Sequence, residues 1–520
     1  MAFNSFHFLV YFPIVLGCYH ALPHRFRWML LLAASLYFYM AWRAAYVVLL
    51  LGAILVSYLA GIWIEEAEAP ALKRRHLAFG LTVLLGNLFV FKYFNFFNDS
   101  VRAVVELMGL HYGLGALKLL LPIGISFYTF QKASYLIDIY RGKQKAERHL
   151  GIFALYSSFF PQLVAGPIER GPHLLPQFRE EHRFDYAQVA SGLRLMAWGF
   201  FKKTVVADRL APFVNNVYSN PTEQVGTSLL LATLFFAFQV YCDFSGYSDI
   251  AVGCARTIGF RLVDNFRQPY FSSSIQEFWK RWHISLSSWL TDYVYTPFTR
   301  ARWLKMHWYP KLLLSLLLTF LVSGLWHGAN WTFVVWGALH GSYLMVNHAW
   351  QALRKKFFPQ LQPSRLGAVL SIGVTFLAVM VGWTFFRAES FSSALAILAG
   401  MFGFNGVLLP APLQSVPVIG SLLSSFADFG TTGEALGNIK DPFTFVFIAF
   451  LLAWCWALPN AQQIFRPYAV ALSSDTSLPR WPSLVFQRTG IWAAAAGIVF
   501  AICLLYLQSN IEQEFLYFDF

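Results

Sequence analysis

Residues 311–346 read KLLLSLLLTFLVSGLWHGANWTFVVWGALHGSYLMV, and this stretch decides the class of the fold. Apolar residues run from Leu312 to Val322, Ser323-Gly324-Leu325-Trp326-His327-Gly328-Ala329-Asn330 interrupts them, and a second apolar run continues to about Val346. Basic residues bracket both ends, Arg300 to Lys311 before and Arg354, Lys355 and Lys356 after. Lys and Arg collect in the cytoplasmic loops of membrane proteins, so two basic ends predict a helical hairpin that leaves and returns to the cytoplasmic side. Its first arm, about 16 residues at 1.5 Å each, reaches only ~24 Å, short of a hydrocarbon core of about 30 Å. The turn carrying His327 is therefore expected inside the membrane, toward its outer half. Irregular backbone at that depth is tolerated only where protein buries it or where it lines a wet cavity.

The rest of the chain agrees with a membrane reading. Of 520 residues, 57% are hydrophobic, 18% aromatic and 12% charged, whereas a soluble domain carries about 25% charged residues to face water. This composition excludes disorder, a collagen-like chain and a nucleic-acid-binding domain. Apolar windows near 6–22, 26–42, 46–64, 77–97, 115–137, 150–165, 188–207, 228–257, 312–326, 331–350, 367–386, 442–458 and 490–508 are candidate spans, several of them too short or interrupted for a simple crossing. The expected class is an all-α polytopic membrane protein, a single membrane domain over 1–520 with its catalytic core region at 121–350.

Charge gives the orientation. Arg25 with Arg27, then Lys73, Arg74 and Arg75, then Arg141, Lys143, Lys145 and Arg148, and later Arg354 to Lys356 are expected on the cytoplasmic side, with the N-terminus outside. Residues 404–440 carry only Asp428, Glu434 and Lys440 among many Gly, Pro and Ser, which predicts an external, periplasmic loop; 459–488, with Arg466, Arg480 and Arg488, is expected to be cytoplasmic. The net charge of +13 fits these basic loops and also an anionic donor such as an acyl-CoA. No Lys or Arg precedes Arg25, so the first apolar stretch reads as a retained span, not a cleaved leader. The five cysteines form neither a disulfide framework nor a zinc spacing.

From Gln276 to Tyr293 the pattern changes. Phe278, Trp279, Trp282, Leu286, Trp289 and Leu290 recur at three- and four-residue steps, one apolar stripe on a helix. Lys280, Arg281 and Asp292 lie off it, which predicts an amphipathic helix at the interface or folded back into the protein, with His283 bordering the stripe.

Histidines and buried acids are the candidates for chemistry. His327 lies between Gly324 and Gly328, whose missing side chains would let a substrate approach. Burial disfavours an imidazolium, and a neutral imidazole is a competent general base. His340, thirteen residues on, serves equally well on that reasoning, and a histidine hydrogen-bonded inside a helix bundle is the bland alternative. Asp138, Asp243 and Asp249 interrupt apolar runs, where carboxylates are costly and mark function by default; pairing with Lys132, Arg141, Arg256 or a tyrosine hydroxyl is the structural alternative. No ligand spacing supports a metal site.

Six motifs in order carry a resemblance. They are Pro122-Ile123-Gly124-Ile125-Ser126-Phe127-Tyr128, Ser134-Tyr135 through Asp138-Ile139-Tyr140-Arg141-Gly142, Ala165-Gly166-Pro167-Ile168, Asp243-Phe244-Ser245-Gly246-Tyr247-Ser248-Asp249, Phe278-Trp279-Lys280-Arg281-Trp282-His283-Ile284-Ser285-Leu286 and Gly324-Leu325-Trp326-His327-Gly328-Ala329-Asn330. Together, over roughly residues 1–390, they resemble the membrane-bound O-acyltransferase family, and within it the branch that acetylates alginate in Gram-negative bacteria. The resemblance implies about eleven transmembrane helices with re-entrant and amphipathic helices around a central tunnel. It implies that His327 matches the principal catalytic histidine and His283 the second active-site polar residue, with Trp326, Asn330, Asp243, Asp249, Ser245 and Tyr241 as tunnel or supporting residues.

It further implies a cytoplasmic thioester donor, acetyl-CoA, with no bound cofactor. Acetyl would pass through the protein, in the bacterial inner membrane, to periplasmic O-acetylation proteins and finally to an exopolysaccharide. The chain departs from the alginate branch after the amphipathic stretch, where Pro297-Phe298-Thr299-Arg300-Ala301-Arg302 stands in place of a Gly-Gly-Asn-Arg loop. Cellulose, peptidoglycan or teichoic acid are the alternative acceptors. A polysaccharide-precursor transporter with a proton relay is the alternative of another class, although the interruption at His327 has no twin of the kind repeated transporter folds carry.

Overall fold

The computed structural model describes residues 1–302, 304–360, 364–415, 419–431, 449–450, 461–464, 490–507 and 516. The span expected at 442–458 and the segment expected at 459–488 lie almost wholly outside the described residues. Among those residues the strands are one parallel pair, Leu408–Pro410 with Asp428–Gly430, inside the segment expected as an external loop. The principal helices are α1 (Phe6–Ala21), α2 (His24–Met40), α3 (Val47–Glu66), α4 (Pro70–Leu88), α5 (Phe94–Leu107), α6 (Ile125–Tyr140), α7 (Leu150–Ser158), α8 (Tyr186–Phe200), α9 (Asp208–Ser219), α10 (Gly226–Thr257), α11 (Ile275–Arg281), α12 (Ile284–Leu290), α13 (Trp308–His327), α14 (Trp331–Phe357), α15 (Arg365–Arg387), α16 (Phe391–Met401) and α17 (Gly490–Leu507). Three π-helical segments among the described residues join neighbours without a break, Phe89–Tyr93 between α4 and α5, Phe201–Ala207 between α8 and α9, and Thr291–Tyr295 between α12 and the short helix Thr296–Arg300.

Five helical stretches among the described residues are long and apolar enough to cross a bilayer: Ala44–Glu66, Pro70–Leu107, α10, α13 and α15. In α10, 83% of the apolar window is buried inside the protein, against 17–39% in the other four. α10 is thus the central post, and the others turn apolar flanks outward. Val48, Leu366 and Val374, each more than two-thirds exposed, would be an aggregation hazard in water; here they form the lipid face of an all-α polytopic membrane protein.

Lipid tails give no hydrophobic drive between helices, so close backbone packing holds them together. α8 and α10 cross at two glycine pairs: a Cβ on Gly192 would lie 2.7 Å from the Gly253 carbonyl oxygen, and one on Gly199 2.6 Å from that of Gly246. α13 and α14 cross the same way at Gly324 and Gly337, where added Cβ atoms would run into the Phe333 and Phe320 carbonyl oxygens.

The glycine contacts revise two readings. Gly324 and Gly328 do not open a path to His327, because the ring of Phe333 fills the space at Gly328 and its carbonyl that at Gly324. With Ser323 and Gly324 packed as helix, α13 runs unbroken for 20 residues to His327, about 30 Å at 1.5 Å each, and the break shrinks to Gly328–Asn330. Two other expected spans are shorter than their apolar windows. α6 begins only at Ile125, after Gly124 at φ 75°, and α7 is nine residues long, about 14 Å.

One end of the bundle gathers the basic loops. Arg148 pairs with Glu65 and Glu66 at 2.6 and 2.5 Å, Arg170 with Asp292 at 2.5 Å, and Arg141 donates to the Asp292 carbonyl at 3.2 Å. Arg27 donates to the carbonyl of His182 at the same end.

Candidate active site

The stretch expected as one amphipathic helix is two. α11 starts at Ser274, whose hydroxyl accepts from the Glu277 amide at 3.2 Å, and Glu277 in turn accepts from the amide and hydroxyl of Ser273 at 2.8 Å, an arrangement close to a capping box. It ends at Arg281 because the irregular segment at Asn265–Arg267 takes over the backbone. The Arg267 amide donates to the Arg281 carbonyl at 2.9 Å and the Ile284 amide to the Asn265 carbonyl at 3.0 Å. Between these two bonds Trp282 is extended and His283 adopts the left-handed conformation, φ 44°, which costs a non-glycine residue about 1–2 kcal/mol.

The side chain of Asn265 then fixes the start of α12. Its carbonyl oxygen accepts from the Ser285 hydroxyl at 2.6 Å and the Ser285 amide at 3.2 Å, and its amide donates to Ser248 of α10 at 3.3 Å. The stripe Phe278, Trp279, Trp282, Leu286, Trp289 and Leu290 is wholly buried, so these helices are folded back into the protein. Trp289 stacks on Phe130 of α6 at 3.8 Å.

His283, so placed, is fully buried. Its ring meets Phe244 edge-on at 4.7 Å, Trp326 at 5.9 Å and Phe127 at 6.4 Å, and neither ring nitrogen has a hydrogen-bond partner among the described residues. Trp326 also lies 4.9 Å from His327, and its indole N–H is likewise unpartnered among them. His327 is boxed by Trp336 at 4.9 Å and Phe386 at 5.2 Å, with His283, Lys92 and His340 in electrostatic range. His340 sits one layer further along α14, 4.7 Å from Trp336, and its Nδ1 accepts from the Trp279 indole at 3.3 Å.

Cavities flank this pair of histidines. A cavity of about 430 Å³ at the basic end is lined by Asp138, Lys143, Arg170, His173, Ile284 and Ser285, among others, and so reaches the two residues that follow His283. Toward the other end of α6, with Phe127 about 17 Å from Asp138 by helix rise, a cavity of about 40 Å³ is lined by Lys92, residues 121–127, Val164, Trp326 and His327. A third, of about 230 Å³, shares Ile123 and Val164 with it and is otherwise lined by Met1, Ala2, Phe38 and Tyr39 of α2, and Ala41 and Trp42 just after it.

The remaining sequence candidates fall into three groups. Asn330 caps α14, accepting from the Thr332 amide at 3.1 Å, and donates to the Glu389 carbonyl at 3.2 Å. Tyr241 packs against Phe266, Tyr270 and Trp282 below His283. Asp243, Ser245 and Asp249 face the π-helical segment instead: Lys203 pairs with Asp243 at 2.8 Å and Asp208 at 2.6 Å, while Lys202 pairs with Asp249 at 2.7 Å and donates to Ser245 at 3.0 Å. These lysines, not Lys132, Arg141 or Arg256, answer the two α10 carboxylates. Asp138 accepts from the Tyr293 hydroxyl at 2.6 Å.

Sequence reasoning missed Asn265, Phe127, Phe244 and Lys92. Phe127 and Phe244 carry no signal beyond their motif neighbours, and Asn265 lies outside the six motifs. Lys92 did carry one, a lone charge inside the apolar window 77–97.

The arrangement is a pair of buried imidazoles against one indole, with a cavity beside His327 and another reaching Ile284 and Ser285, which suits proton transfer and charge stabilisation during group transfer. Comparison with known proteins gives the chain its family. The model of the membrane-bound O-acyltransferase family matches residues 148–388, from α7 through α15. The chain is 42% identical over its whole length, and the whole of the relative, to "Probable alginate O-acetylase AlgI" of Azotobacter vinelandii. It is 36% identical to "Peptidoglycan O-acetyltransferase" of Helicobacter pylori over all of this chain and 96% of the relative. It is 27% identical to "Teichoic acid D-alanyltransferase" of Bacillus subtilis over 52% of this chain and 69% of the relative. The region matched by the family model contains both His283 and His327, and the chain is an O-acyltransferase belonging to the membrane-bound O-acyltransferase family.

Proposed function

We propose that the chain moves an acetyl group from cytoplasmic acetyl-CoA to an acceptor outside the bacterial inner membrane, for O-acetylation of an exopolysaccharide, alginate. The observation that carries this reading is the pair of buried imidazoles, His283 and His327, both against Trp326, with cavities lined from the two ends of α6. With the basic end in the cytoplasm, the 430 Å³ cavity receives the donor and the cavities beside His327 and Met1 receive the acceptor.

In this scheme His327 takes the proton of the acceptor hydroxyl, whose oxygen attacks the thioester carbonyl carbon. The C–S bond breaks, the CoA thiolate leaves and recovers the proton held by His327. His283 orients the thioester carbonyl and stabilises the charge that develops on its oxygen. Trp326 and Tyr241 shape the path, and Asn330, Asp243, Ser245 and Asp249 support the helices that form it. A periplasmic O-acetylation protein takes the acetyl group on to the polysaccharide. The full-length likeness to a peptidoglycan O-acetyltransferase supports a second acceptor, peptidoglycan, for the same chemistry.

The test uses purified protein in nanodiscs with isotope-labelled acetyl-CoA, wild type against His327→Ala, with and without periplasmic extract from an alginate-secreting strain. CoA release by wild type alone, with label in alginate, is the expected result; label in peptidoglycan selects the second acceptor. Undiminished release by folded His327→Ala would overturn the assignment.

A further inference from the structure

A helix leaves its last four carbonyl groups without partners, and inside a bilayer each such group costs several kcal/mol. α13 ends at the buried His327, yet all four carbonyls are answered. The Gly328 amide donates to Gly324 at 3.2 Å. The Tyr93 hydroxyl donates to Leu325 at 2.8 Å, and the Lys92 ammonium donates to both Trp326 at 2.7 Å and His327 at 2.9 Å. Lys92 and Tyr93 are the last two residues of the π-helical segment Phe89–Tyr93, a distortion that recurs at functional sites.

A neutral donor would serve an ordinary cap, as Tyr93 does here. A lysine inside the membrane is expensive, and its charge is matched to the negative end of α13. Two of its three donors are used on the backbone of Trp326 and His327. The third is left for the 40 Å³ cavity, which Lys92 and His327 line together.

Resting on the proposed role of His327, we propose that Lys92 is a positioning residue of the transfer reaction: its ammonium group fixes the terminal turn of α13 and thereby sets the His327 imidazole at the cavity wall. It acts through His327 and need not touch either substrate.

The full chain in nanodiscs tests this with acetyl-CoA as donor and CoA release as readout. Lys92→Met is expected to lower kcat by about 10²-fold, the scale of a roughly 1 Å misplacement of a reacting group, with KM for acetyl-CoA changed less than about twofold. In a His327→Ala background the same substitution should change the residual rate less than about twofold, since groups acting as one unit are non-additive. Lys92→Cys alkylated with 2-bromoethylamine, which rebuilds a lysine-like ammonium, should recover most of kcat. Wild-type kcat in folded Lys92→Met, an equal loss in both backgrounds, or failure of the rebuilt ammonium to rescue would each overturn the inference. If Lys92→Met does not insert, Lys92→Arg carries the test: with normal thermal unfolding, lowered kcat supports positioning because the planar fork binds differently, and wild-type kcat overturns it. Full activity in His327→Ala would instead remove the reading beneath it, an outcome that Lys92 variants alone cannot produce.

Discussion

The indole of Trp326 lies 5.9 Å from the imidazole of His283, tilted 59° to it. It also meets the imidazole of His327, while Phe127 at 5.2 Å and Phe130 at 5.6 Å hold it in place from α6. Both histidines therefore contact one aromatic layer, and its Trp326 belongs to the same helical turn as His327.

Removing the layer is expected to uncouple donor cleavage from transfer. Trp326→Ala should raise acetyl-CoA hydrolysis without acceptor and cut transfer at least about tenfold, while costing the about 3–5 kcal/mol typical of a large aromatic truncated in a core. Trp326→Phe should keep the two reactions coupled. Measuring free acetate and acetylated product side by side checks this; tight coupling in Trp326→Ala would show that the indole is packing alone.

His283 combines two demands that substitutions can separate. Asn tolerates the left-handed conformation, so His283→Asn should unfold at the wild-type temperature while transfer falls about 10²-fold, the scale of one acid-base or oxyanion contribution. His283→Ile should lower stability by a further about 1–2 kcal/mol, because a β-branched residue at φ 44° is strained. Thermal unfolding and CoA release, read on both variants, separate the demands. Wild-type turnover in His283→Asn would leave the residue with a structural role.

Much of this was legible in the chain. The α13–α14 hairpin follows from two apolar runs between basic clusters, whereas counting apolar residues alone makes its first arm too short, because Ser323 and Gly324 continue the helix to His327. The break at His283 was not legible, because it depends on Asn265 and Arg267, which take the Ile284 and Arg281 backbone groups out of the helix. A 3.6-residue stripe from Phe278 to Leu290 has the same spacing whether or not such a bond intervenes. Lys202 and Lys203 were visible as charges inside the window 188–207, but the step that brings each to its own α10 carboxylate is set by the π-helical segment and by glycine contacts between α8 and α10. Lys92 stood out in the same way, while its partners lie 234 and 235 residues away.

Asn265 tests whether the brace behind His283 matters to turnover. Asn265→Leu leaves the Ser285 amide and hydroxyl and the Ser248 hydroxyl without the bonds they make now, at about 1–3 kcal/mol for a buried unsatisfied group. Transfer should fall with KM for acetyl-CoA nearly constant, since the loss acts on the position of His283. Asn265→Asp keeps the acceptor and should restore part of the rate. A change confined to KM would place Asn265 in donor binding.

The Lys203 network decides whether the α10 carboxylates serve structure or the substrate path. Lys203 holds Asp208 and Asp243 at 2.6 and 2.8 Å in the core, where the Leu516 amide also donates to Asp243 at 3.1 Å. Removing one partner of a buried pair costs about 3–5 kcal/mol, while replacing all of it with apolar residues of similar volume is often neutral. Lys203→Met should therefore be poorly folded. Adding Asp208→Leu and Asp243→Asn should restore the unfolding temperature, because neither carboxylate is then left without its cation and the side-chain carbonyl introduced at position 243 still accepts from the Leu516 amide. With the network structural, the triple variant keeps kcat within about threefold of wild type. A folded triple variant that has lost transfer would instead put Asp243 on the route of the acyl group, since only a charge used by the substrate is missed once packing has been repaired.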